Sequence, residues 1–333
     1  MRRRLFATCF IVLALEGVFT SVFAQDTPLV EPISTLEAGD FRALAVTADG
    51  ERLLVADAEN QQVRVYSFSD PANPELLSSL DVSGTPVLVV GGDNFGLVAI
   101  ITEDETDAVE VIAPALTRTR VQSTQYVAGR GYVDIAKNPR ALALSPDNHW
   151  GIAVSENSYT LMQIHSADDI DSLPGRGDLI GAALSNTTAY LLRDGVLESA
   201  PLQSGEILRA EQRLALDGTP TAVALNADAS AGVVVVDGSR LVFFDAASLE
   251  RTHEFRLDGS PITSIDFMAQ RGGDTLLITQ EDTRTIRMIN AAEPENTETL
   301  TTVQALDKPI RALAVFNQYL IATDGITISI FSS

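Results

Sequence analysis

The chain has 333 residues, 45% of them hydrophobic, and a formal net charge of −22. That apolar content supplies a large core and excludes an intrinsically disordered chain. The acidity excludes a nucleic-acid binder or an anionic-lipid binder, because both need Lys and Arg to neutralise phosphate. It suits a cation, a basic partner or a high-salt habitat.

Residues 1–24 read as a secretory signal peptide. Arg2, Arg3 and Arg4 form the charged start, Leu5 to Phe19 is mostly apolar around Glu16, and Val22-Phe23-Ala24 offers a cleavage site before Gln25. The alternative is an N-terminal membrane anchor, for which the apolar run is short. Arg3-Arg4 resembles a twin-arginine signal faintly. A periplasmic or extracellular location is expected, with no membrane span after cleavage. Cys9 is the only cysteine and lies in the leader. The mature chain is therefore expected to hold no disulfide and no thiolate chemistry.

Residues 25–333 are expected to form one domain. Gln25 to Ala38 is extended in character, since Pro28 and Pro32 oppose a helix. A module then recurs, clearest from Pro139 to Ser166. There, an apolar run (Ala141–Leu144) meets a turn at Ser145-Pro146-Asp147-Asn148, a second apolar run (Ile152–Val154), a polar turn and a third apolar run. Seven copies begin at Phe41, Pro86, Pro139, Leu179, Pro220, Pro261 and Pro309. A period of about 45 residues is that of a propeller blade. Asp-Gly, Asn, Ser and Pro punctuate the runs as hairpins require.

The predicted fold is all-β, with seven four-stranded antiparallel blades around an axis. The seventh copy stops after three strands, and Ile33–Ala38 resembles its missing outer strand. The N-terminal strand is expected to complete the last blade and close the ring, covering two sheet edges and suiting a monomer.

These motifs resemble the YVTN and lactonase-like seven-bladed propellers of exported bacterial proteins. Pro139–Asp147 and Ala43–Leu54 match the unit's Pro-x-Gly/Ala-Leu-Ala-x-Ser-Pro-Asp-Gly and following strand, and Leu241–Asp245 its third strand. The Tyr-Val-Thr-Asn itself is absent: residues 54–57 read Leu-Val-Ala-Asp, 100–103 Ile-Ile-Thr-Glu and 153–156 Ala-Val-Ser-Glu. The resemblance implies the architecture, and it admits two functions. One is a non-catalytic scaffold with a protein partner or small ligand on its top face. The other is a lactonase-like hydrolase or isomerase acting on an anionic sugar-acid lactone.

Candidate site residues follow from the repeat. Asp57, Glu103, Glu156, Asp194, Asp237 and Asp324 stand where second strands end, with Gln280 in the sixth module. Such an acidic ring can hold a structural divalent cation or a basic partner. Asp194-Gly195, Asp237-Gly238 and Asp324-Gly325 are equally explained as turn pairs. No other cofactor is expected.

Arg42, Arg140 and Arg311 recur on the same predicted face. Arg42 and Arg311 can bracket an anion or pair with the acidic ring. A lactonase-like reaction would draw on Arg42, Arg311 and Glu156. The long gap between the second and third modules contains Tyr126, Arg130 and Tyr132, a candidate contact loop over that face. His149 is expected in a turn on the opposite face, and His165 and His253 on outer strands. That placement argues against a metal or triad constellation.

Overall fold

The computed structural model describes residues 31–332, apart from 38, 94, 113–131, 167–168, 207, 271–272, 292–298, 305 and 307. Among the described residues there is no helix; 28 strands form seven four-stranded antiparallel sheets. The first blade is Phe41–Val46, Arg52–Asp57, Gln62–Ser67 and Leu76–Asp81, ordered from the axis outward. The other inner strands are Thr85–Gly91, Ala141–Leu144, Gly181–Leu184, Pro220–Leu225, Ile262–Gln270 and Ala312–Phe316. Each touches the next, and the last touches the first, so the sheets form a closed ring.

Both faces of every blade are covered by a neighbour, which explains why second strands read as unbroken apolar runs. Trp150–Ser155 is buried throughout, and Arg52–Asp57 is buried after its first residue. Outer strands meet solvent and are more polar, as in Arg251–Arg256. Seven apolar clusters fill the seven inter-blade seams. Burial of this kind contributes about 25 cal/mol per Å² of apolar surface, so the stability of the ring resides in these seams.

Closure follows the predicted course. Ser34–Glu37 pairs antiparallel with Thr327–Ser332, in the register Ser34 to Ile330 and Glu37 to Thr327. Leu36 packs on the cluster between blades seven and one. An aromatic group reinforces that seam: Phe68 meets Phe316 and Tyr319 edge to face, with ring centroids 6.5 and 5.9 Å apart. Such pairs add about 0.5–1.5 kcal/mol beyond their area.

Candidate functional site

On one rim of the ring, here called upper, first strands begin and second strands end. Asp40 lies there just ahead of the first inner strand, at the junction of blades one and seven. Its Oδ2 accepts hydrogen bonds from Arg42 Nε at 2.9 Å and from Nη2 at 2.5 Å. Its Oδ1 accepts one from Arg311 Nη1 at 2.6 Å. Partial burial pushes the Asp40 carboxyl up, but the bonds and charges of Arg42 and Arg311 outweigh it and hold it below its ordinary value. The two arginines are therefore brought together around a carboxylate of the chain itself.

The third arginine, Arg140, stands on blade three beside Glu156, with Nη2 3.7 Å from Oε1. Asn138 Nδ2 donates to the other Glu156 oxygen at 3.2 Å. The structure thus joins Glu156 to Arg140 and Asn138, and it places both of its partners two blades away from Arg42.

The six second-strand carboxylates do not share one environment. Asp57 is the last residue of its strand, paired with Phe41, and is fully buried. It accepts from Asn60 N and Nδ2 and lies 2.5 Å from Arg64 Nη2, while the Arg64 guanidinium sits over the Phe41 ring. The other five fall one or two residues beyond their strands. Asp324 Oδ1 accepts from the N–H groups of Ile326 and Thr327, which is turn chemistry. Asp237 accepts from Thr219 N at 2.9 Å and sits 3.5 Å from Arg240. Asp237 and Gly238 both adopt positive φ, which explains the Asp-Gly sequence. Asp194 and Glu103 are exposed. Gln280 is buried and donates to the carbonyls of Asp258 and Ser260. Among the described residues, no three His, Cys, Asp or Glu side chains are grouped to hold a metal ion.

Sequence reasoning missed Asp107, the first residue of the third strand of blade two. It is fully buried and accepts from Lys137 Nζ at 2.9 Å, Thr102 N at 3.0 Å and Asn138 N at 2.8 Å. Its desolvation raises the carboxyl, and these donors more than reverse that, so it is held below its ordinary value. The available signal was one of the chain's rare lysines, Lys137, just ahead of the third module.

Of the predicted contact loop only Tyr132 is described, and its expected face requires a correction. Tyr126 and Arg130 lie outside the described residues. Tyr132 opens the outer strand Tyr132–Ile135 of blade two, opposite Glu110, so the inserted residues join third and fourth strands. In an antiparallel blade the outer strand starts toward the lower rim, so Tyr132 lies away from Arg42 and Arg311. The histidines are dispersed. His149 is in the first turn of blade three beside Asp147, and His253 is on an outer strand. His165, expected on an outer strand, is on the third strand, 3.2 Å from Asp171.

The lower rim carries a cleft of about 620 Å³ between blades four and five. Ser185, Thr187, Thr188, Ser199, Ser230 and Tyr190 line it together with Glu211, Asp228 and Asp245. Tyr190 Oη donates to Ala246 O at 2.9 Å, fixing one wall. The hydroxyl and N–H of Ser230 hold Asp228 below its ordinary value, and Ser248 does the same for Asp245.

No family model and no curated relative matches the chain. A solved structure described as the crystal structure of a mitotic checkpoint complex contains a chain similar to it in shape. The TM-score is 0.67 at 13% identity, over 100% of this chain and 99% of that chain. At that identity the likeness establishes the seven-bladed propeller fold and nothing of its use.

Proposed function

We propose that the protein is an exported binding scaffold, without turnover, that presents a rigid propeller surface to a protein partner or small ligand. The observation that carries this reading is the state of the two arginines. A lactonase-like site of the resembled family would need Arg42 and Arg311 open to an anionic substrate, with Glu156 in reach. Instead both arginines grip Asp40, and Glu156 pairs on blade three. The lower cleft supports the same reading, because its volume falls within the range of about 300–1,000 Å³ usual for small-ligand sites.

The test uses protein recovered outside the cytoplasm with Gln25 as its first residue, as the leader implies. Incubated with sugar-acid lactones, it should give hydrolysis at the uncatalysed rate. Hydrolysis above that rate, abolished by Arg311→Ala, would overturn the proposal.

A further inference from the structure

The seven inner strands carry one acidic residue, Asp266. It is half-buried at the axis and otherwise enclosed by protein. Along its strand it shares a face with Met268 two residues on, and it pairs across to Leu277. Met268 and Leu277 are buried in the seam between blades six and seven, against Leu313 and Val315. Asp266 therefore belongs to the blade-seven side of its sheet, in an apolar setting. Its Oδ1 accepts a 2.8 Å hydrogen bond from the next residue, Phe267 N.

Among the described residues, no charged group on the packed elements faces it. The inner strands Pro220–Leu225 and Ala312–Phe316 contain no titratable residue. On the paired strand Gly273–Gln280, the one titratable residue is Asp274. Asp274 is out of phase with Leu277, opposite Ala269, and its carboxylate accepts from Asn226 Nδ2 of blade five.

We propose that the seam between blades six and seven is a proton-controlled joint that titrates through Asp266. With the proton on, a neutral carboxyl sits among Met268, Leu277, Leu313 and Val315 and the blades close tightly. With the proton off, an anion without a counter-charge occupies the same place, and opening the seam to water relieves it. Burial pushes the Asp266 carboxyl up to about 6, against a smaller opposing contribution from the Phe267 N–H. The folded value lies above the unfolded one. The stabilisation is therefore fully present below about pH 4 and is lost as pH rises through about 6. This is opposite in sign to Asp40 and Asp107.

Hydrogen exchange of the amides in 262–268, 275–279 and 312–316, corrected for intrinsic rates, tests it on the whole mature chain. Relative to Asp266→Asn, the parent should gain about tenfold protection between about pH 7.5 and pH 5. Asp266→Asn, an uncharged isostere, should show high protection at both. Identical pH dependence in the two proteins would overturn the proposal. So would a carboxyl-carbon titration of Asp266 in the parent with a midpoint near the ordinary value of about 4.

Discussion

Removing residues 31–37 should lower the melting temperature by about 10 °C and make the protein aggregate on warming. The segment contributes the outer strand of blade seven, Ser34–Glu37, and the bond from Ile33 N to Ile330 O at 2.8 Å. Four or so backbone bonds at about 1 kcal/mol each, with the packing of Leu36, amount to about 5 kcal/mol. The loss also leaves Thr327–Ser332 as an unpaired edge, and most of that strand is buried in the intact ring. A bare apolar edge is a template for other chains. Thermal unfolding followed by circular dichroism and light scattering reads both effects, and an unchanged transition would count against strand closure.

Cys9 is the one cysteine in the sequence, so the converse experiment is clean in a Cys9→Ser background. Thr35 and Ser329 are paired. Thr35→Cys with Ser329→Cys should oxidise to one cystine joining the two chain ends, stabilising by about 4 kcal/mol through the long loop it closes.

The second large effect is expected at Asp107. Asp107→Ala removes the acceptor for Lys137, Thr102 N and Asn138 N in a fully buried position, and should cost about 3 kcal/mol. Asp107→Asn keeps an acceptor for the N–H groups and should cost less. Denaturant unfolding measures both. Glu103→Gln, at an exposed turn of the same blade, should stay within about 0.5 kcal/mol of the parent. The Asp107 carboxyl is held below its ordinary value, so its contribution is present above about pH 4 and disappears as acid takes the pH through its folded value. Equal effects at Asp107 and Glu103 would show that burial does not rank these carboxylates.

The architecture was legible in the sequence because it rests on local signals repeated seven times. Apolar second strands and Asp-Gly or Asn turns each predict a hairpin, and the incomplete last copy predicts the closure seen between Ser34–Glu37 and Thr327–Ser332. What could not be read depends on register and on contacts between blades. Asp57 and Asp237 look equivalent in the repeat. A shift of one residue makes the first a strand residue paired with Phe41 and the second a turn residue.

The extra length between Pro86 and Pro139 was visible, but not the loop that holds it. The pairing of Tyr132 with Glu110 places Tyr132 in the lower half of blade two. Asp40 escaped notice because it precedes the first module and finds Arg311 only when the ring closes. Asp266 escaped because an acid between Ile265 and Phe267 reads as ordinary strand alternation until its face is known.

The assignment of Arg42 and Arg311 to a structural clasp is tested most directly by a double-mutant cycle on Asp40 and Arg311. Unfolding free energies would be measured for the parent, Asp40→Ala, Arg311→Ala and the double variant. The pair is partly exposed, so solvent screens it, and a favourable coupling of about 0.5–1 kcal/mol is expected. A coupling near zero would contradict the clasp and leave both arginines available to an anionic ligand.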